Sequence, residues 1–445
     1  MLQNTFRLAA MLLAAIAVLA FSPAASGEDD ASRVVVLHCG QLLDRPGEPP
    51  RERVTVVVRG SEIAEIVDGY ADPDRFGEDA RAVDLKDRFV MPGLIDCHTH
   101  ITGEMSKGSR FVDAVTKSEA DVAIMSTVYA RRTLDAGFTT IRNVGSSGDA
   151  AFALRDAIAA GHVPGPRILV AGESISPTGG HSDSTHGFRD DVFAAPGAYE
   201  GIADGPDECR KAVRAQVKRG ADLIKITATG GVLSATNAGT GQQFFVDELN
   251  AIVETAHALG RKVAAHAHDA DGINAALRAG VDSIEHGSFI DEESVRLLNE
   301  TGAYLVPTLM AGETVATIAE EDPEYFVPSV REKALEVGPK MLENFRRAVK
   351  GNVNIAFGTD SGVSKHGENA REFELMVEAG MTPMATLHAA TVAAAELCGL
   401  SDQIGTIEPG KQADLVAFES SPLEDISAVW DVRFVMKGGV AHRKD

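Results

Sequence analysis

Met91-Pro92-Gly93-Leu94-Ile95-Asp96-Cys97-His98-Thr99-His100 is an apolar run that ends in two histidines separated by one residue. Alternate side chains of a strand share a face, so His98 and His100 point the same way and can grip one metal ion through two imidazoles. Cys97 points to the other face and is not expected to be a ligand. A chance His-x-His at a strand end is common. The pair gains its weight from partners at the ends of later strands.

From Pro92 onward, strand-like apolar runs alternate with helix-like stretches, the rhythm of βα units around a parallel sheet. The runs are Gly93–His98, Thr139–Val144, Arg167–Ala171, Leu223–Thr227, Lys262–His266, Ser283–His286, Ala303–Pro307 and Asn354–Gly358. Glu119–Ala136, Asp247–Leu259, Asp271–Ala279 and Glu292–Glu300 read as helices between them. This predicts an α/β fold, a TIM (β/α)8 barrel, over residues 91–404. Upstream, residues 28–90 hold β-branched runs such as Val34–Leu37, Val54–Val58 and Ile63–Ile66, with no helix-length amphipathic pattern before about residue 119. Residues 405–445 return to strands at Ala413–Phe418 and Val429–Met436. The two flanks predict one small β-sandwich domain built from both termini.

Barrel sites lie at the C-terminal ends of the strands, and there the polar residues collect. The first run ends in His98 and His100, the fourth carries Lys225, the fifth ends at His266, the sixth at His286, and the eighth leads to Asp360. Imidazole and carboxylate suit Zn²⁺. Lys225 is the odd member, since an ammonium cannot ligate a metal. Burial would lower its pKa and expose its lone pair. It is then open to carbamate formation with CO₂, or else it is a lysine paired with a carboxylate.

With these residues in place, the chain resembles the binuclear form of the amidohydrolase superfamily. The likeness also rests on Met91–Asp96, Thr133–Arg142, Gly179-Gly180-His181 and Gly405–Leu415. It is most similar to the imidazolonepropionase-like branch that includes Xaa-Pro dipeptidases, carboxypeptidase-like enzymes and ochratoxinase-type amidases. The resemblance implies hydrolysis of an amide or peptide bond in a dipeptide or N-acyl amino acid. It implies two divalent ions, with His98, His100 and Asp360 on one, His266 and His286 on the other, and Lys225, N6-carboxylated by CO₂, bridging. Asp360 would act as proton acceptor and donor, and His181 would steady the oxyanion or hold substrate. His268 has the parity to face the site. Arg110, Arg189 and above all Arg371 are candidates for a substrate carboxylate, while His186 and His366 are weaker candidates.

Two rival readings use the same scaffold: a mononuclear aminohydrolase (deaminase) or cyclic amide hydrolase, and a non-catalytic binding protein. The deaminase would place Glu three residues after the fifth-strand histidine, where this chain has Asp269. A binding protein would lack ligands, and none is missing.

The rest of the sequence bounds the setting. Residues 1–27, with Arg7, the apolar Leu8–Phe21 and the small residues Ala24–Gly27, have the layout of a cleaved signal peptide. The expectation is therefore a periplasmic or secreted protein, free of the membrane once mature. A formal net charge of −23 argues against nucleic acid and anionic membranes as partners. A small amide or short peptide is the expected ligand, and the protein is expected to form a homo-oligomer. Cys39, Cys97, Cys209 and Cys398 form no CxxC pair and read mainly as buried apolar residues.

Overall fold

Four strands open the fold: β1 (Val34–Leu42), β2 (Arg51–Arg59), β3 (Glu62–Asp68) and β4 (Arg81–Pro92). In this computed structural model, residues 33–186, 188–189, 191–192, 194–235 and 239–444 are described. The expected leader at 1–27 lies outside the described residues. After Gly93 the chain enters β5 (Leu94–Thr99), then helices α1 (Ser109–Thr116) and α2 (Glu119–Asp135). Next come β6 (Phe138–Asn143), α3 (Ala150–Ala159), β7 (Arg167–Val170), α4 (Gly205–Arg219), β8 (Ile224–Thr227) and α5 (Val246–Ala258). They are followed by β9 (Val263–Ala267), α6 (Ala270–Ala279), β10 (Ser283–His286), α7 (Glu292–Thr301) and β11 (Tyr304–Val306). A two-helix excursion, α8 (Leu309–Glu321) and α9 (Pro328–Lys350), precedes β12 (Asn354–Ile355). Helices α10 (Arg371–Glu378), α11 (Pro383–His388) and α12 (Ala394–Cys398) lead to β13 (Leu415–Phe418), β14 (Val432–Lys437) and β15 (Val440–Lys444).

All eight predicted runs from Pro92 become strands, within a few residues of the predicted bounds. Strands β5-β6-β7 and β8 to β12 form two parallel ladders. Backbone bonds bridge both breaks between them. Cys97 N donates to Phe357 O at 2.8 Å and Asp360 N to His98 O at 2.7 Å; across the other break, Ile175 N donates to Lys225 O at 2.8 Å. The arrangement is TIM-barrel-like, and it sets His98 directly beside Asp360 although 262 residues separate them in sequence (360 − 98).

Local signals explain the helix starts. Ser118 caps α2, with its backbone N–H answered by Asp121 Oδ2 at 2.8 Å in a capping box. Asp269 caps α6, accepting from Asp271 N at 3.1 Å. The expectation of no helix before about residue 119 needs correcting, because α1 forms over eight residues. That segment is too short for an apolar period to stand out from chance.

The flanking strands form one hydrogen-bonded sheet in the order β15-β14-β13-β4-β1-β2-β3. Ile63 N donates to Lys411 O at 2.8 Å, so the sheet curls until its β3 edge meets the segment entering β13. Leu37, Val56, Leu85, Leu415 and Phe434 pack inside the curl as one apolar cluster. Asp414 joins sheet and barrel: it accepts from Arg167 Nη1 at 2.8 Å and Gly438 N at 2.7 Å, and its carbonyl takes Gly93 N at 2.9 Å.

Asp96 locks the β5 break shut. Its carboxylate is fully buried and accepts from His98 N (3.0 Å), Thr359 N (3.2 Å), Thr359 Oγ1 (2.6 Å) and Asn369 Nδ2 (2.8 Å). Replacing it with alanine strands these donors. Asp96→Ala should destabilise the fold by ~3 kcal/mol in chemical denaturation, and Asp96→Asn by clearly less.

Candidate metal centre

The strand ends deliver their polar residues into one chamber of about 170 Å³ that includes His98, His100, Lys225, His266, His286 and Asp360. All except His100 are buried. Buried polar groups need partners, and the imidazoles find theirs on the side away from the chamber. His98 Nδ1 meets Glu285 Oε2 at 2.7 Å, and His100 Nδ1 meets Gly145 O at 2.9 Å. Both partners only accept, so both rings carry hydrogen on Nδ1 and turn an Nε2 lone pair inward. His286 Nδ1 lies 2.7 Å from Thr308 Oγ1, whose own hydrogen goes to Pro307 O at 2.8 Å, and the same tautomer results.

The inward atoms converge on Asp360. His98 Nε2 is 3.5 Å and His100 Nε2 3.3 Å from Asp360 Oδ1, a buried oxygen that accepts no hydrogen bond. His98, His286 and Asp360 each offer an atom within 4.8 Å of the others, a fit for one cation. This trio crosses the division implied by the resemblance, in which His98 and His286 serve different ions. Burial holds the His98, His266 and His286 pKa values well below the ordinary value, with neighbouring cations and histidines adding to the effect. The imidazoles are therefore neutral and available as ligands. Burial pushes the Asp360 carboxyl up to about 7; Lys225 opposes that rise while Asp96 and Glu285 add to it.

Lys225 is 3 % exposed, and its Nζ makes no hydrogen bond or ion pair with the described residues. Burial brings its pKa down to about 8 against the pull of Glu285 and Asp360. His181 stacks on His266 with ring centroids 4.3 Å apart. Gly231 lies so close to that ring that any side chain there would collide with it. His268 lines the chamber and places Nδ1 2.6 Å from Ser288 Oγ.

The other candidates with described side chains are absent from the chamber lining. Arg371 is a correction: it is absent from the chamber lining because its guanidinium binds Glu313 through two bonds (2.7 and 2.9 Å) and Glu374 at 2.7 Å. Arg189 is exposed and pairs with Asp191, and the Arg110 side chain lies outside the described set. His186 Nε2 is 2.7 Å from Gly180 O, and His366 Nε2 is 2.8 Å from Gly103 O. All four cysteines are free. Cys97 Sγ lies 3.9 Å from Cys398 Sγ and not among the chamber residues.

Residues 89–441 match the model of the amidohydrolase family. The chain belongs to that family. It is 32% identical over 435 residues to ochratoxinase from Aspergillus niger, covering 94% of this chain and 88% of that protein. A crystal structure of a Xaa-Pro dipeptidase with methionine bound in its active site is 43% identical, with a TM-score of 0.88, over 92% of this chain and all of that one. An imidazolonepropionase from Sphingopyxis alaskensis is 26% identical over 388 residues, 78% of this chain and 80% of that protein. This amidohydrolase thus sits in the branch that the strand-end motifs indicated, and it is a hydrolase acting on carbon–nitrogen bonds.

Sequence reasoning missed the support beneath the histidines. Glu285 is 0 % exposed, binds Arg142 Nη2 at 2.7 Å through Oε1 and also accepts from Ser283 Oγ. Arg142 in turn donates to Cys97 O and Ser283 Oγ. Glu285 directly precedes His286, and Arg142 sits in the Thr133–Arg142 motif, so the signal lay beside residues already singled out. Nothing in strand parity links Glu285 on β10 to His98 on β5, or shows that Arg142, on β6 beside β5, reaches Glu285. A carboxylate behind a ligand histidine fixes its tautomer and raises its basicity. Glu285→Gln should lower zinc affinity by ~10–100-fold in a chelator competition, with Asp291→Asn, a surface helix cap, as an unaffected control.

Proposed function

We propose that this amidohydrolase cleaves the amide bond of a dipeptide or N-acyl amino acid, using two divalent ions, with Zn²⁺ the ion its imidazole and carboxylate donors suit. The observation that carries the reading is the buried Lys225, without a hydrogen-bonding partner among the described residues, amid neutral histidines and next to Asp360. A neutral lysine amine adds CO₂ with loss of one proton, giving an anionic carbamate with two oxygens able to bridge two ions. His98, His100 and Asp360 would hold one ion, and His266 and His286 the other. The short spacing of His98, His286 and Asp360 supports two sites close enough to share that bridge. When bound, the ions supply an acidified water and a polarised carbonyl.

The chain's own groups do the rest. Asp360 takes the proton of the attacking water and passes it to the leaving nitrogen, a task suited to a carboxyl raised towards neutrality. His181, held against His266, faces the developing oxyanion, and His268 contacts substrate. Asp269 weighs against the deaminase alternative, because its carboxylate is spent on capping α6.

The same reading takes residues 91–404 as a closed (β/α)8 barrel, with 28–90 and 405–445 forming the small sandwich domain. It also takes the mature protein as an exported homo-oligomer that begins near Glu28. No helix among the described residues is long and apolar enough to cross a membrane.

A panel of dipeptides and N-acyl amino acids, assayed with zinc-loaded protein, tests the activity. Turnover within the panel is expected; hydrolysis of lactones or ureas alone refutes it. Wild-type protein should carry two metal equivalents, and Lys225→Ala fewer, with activity falling at least a hundredfold. Full metal content with retained activity in that variant rules out the carbamate.

A further inference from the structure

The metal chamber has one apolar wall. Ala311 and Val315 of α8, Val337 and Met341 of α9, and Val232 from the loop after β8 line the chamber together with the histidines and Lys225. A second cavity of about 470 Å³ shares only His100, Leu233 and Val363 with the chamber and runs out past Met105, Tyr325, Phe326 and Val330. Helix α9 thus reaches both spaces, through Val337 and Met341 in the chamber and Val330 in the second cavity, whereas α8 lines the chamber alone.

Bond counting assigns the two halves of an amide to these spaces. An acyl residue's Cβ is two bonds from the carbonyl carbon, whereas the leaving residue's Cβ is three bonds away. The side chain nearer the reacting carbon belongs in the space that the ligand residues themselves line. The leaving half belongs in the space that touches only His100.

We propose that the α8–α9 wall selects substrates whose acyl residue carries an aliphatic side chain of leucine or methionine type. The inference rests on amide hydrolysis at this site and adds which half of the substrate is read, and by which residues. The wall is built to a depth. Gly312 lets α8 approach α9 closely, since a Cβ at that position would stand 2.5 Å from Met341 Sδ. Glu372 fixes the start of α8 by accepting from Leu309 N at 2.9 Å and Met310 N at 2.7 Å. Met341 thus forms the movable floor, and residue 312 decides where it lies.

Two variants move that floor in opposite directions. Met341→Ala deepens the chamber, and Gly312→Ala drives the thioether into it. For the dipeptides Gly-Phe, Leu-Phe and Trp-Phe, the zinc-loaded wild type should favour Leu-Phe over Gly-Phe by about tenfold in kcat/KM. Met341→Ala should shift preference towards Trp-Phe and Gly312→Ala towards Gly-Phe. General damage to the fold cannot produce opposite shifts. Calorimetric binding of leucinol, ethanolamine and tryptophanol, which carry the same side chains and no scissile amide, reads the same order without turnover. An order left unchanged in both variants overturns the wall's role. A binding order that shifts as expected, with no dipeptide cleaved, upholds the wall and sinks the peptidase reading instead.

Discussion

Burying a cluster of titratable side chains in an apolar barrel is costly unless each has a partner, and that constraint organises this molecule. His98, His100 and His286 meet it in a common way, with Nδ1 bonded outward to Glu285, Gly145 O and Thr308 and Nε2 left facing Asp360. Glu285 is held by Arg142 and Ser283, so the charge beneath His98 is itself compensated. The inward atoms, Asp360 Oδ1 among them, are left for a cation. The hydrogen bonding of the fold thus sets the donor geometry of the site.

Backbone strain gathers at the same place. Among the described non-glycine residues with positive φ are His286 (73°), Asp360 (59°) and Thr308 (50°), the last bonded to His286. Left-handed backbone at non-glycine residues costs energy and persists where surrounding structure over-determines it. Here the barrel hydrogen bonds on one side and the outward imidazole bonds on the other supply that constraint. Two of these residues, His286 and Asp360, line the chamber itself.

The apolar face of the chamber comes from outside the regular βα repeat. Helices α8 and α9 form an excursion after β11, and Ala311, Val315, Val337 and Met341 from them line the chamber. The repeating βα units supply the polar residues of the chamber, and this excursion supplies much of its apolar lining. That division is common to barrel enzymes, whose variety lies in the segments after the strands.

Strand runs and candidate ligand residues were legible in the sequence because both are local. Apolar alternation needs only a few neighbours, and His98, Lys225, His266 and His286 each lie within a predicted strand, with Asp360 in the segment that follows the last one. The roles of Glu285 and Arg142 were not legible, since each depends on side chains of β10 meeting those of β5 and β6, strands with which it does not pair. The engagement of Arg371 was hidden for the same reason: an arginine's partner cannot be known until Glu313 is brought beside it. The sequence by itself determined the fold type, the family and the candidate ligand residues, through periodicity and residue chemistry. Only the tertiary structure decided their tautomers, the trio drawn together around Asp360 and the apolar wall, because these depend on distances between residues far apart in the chain.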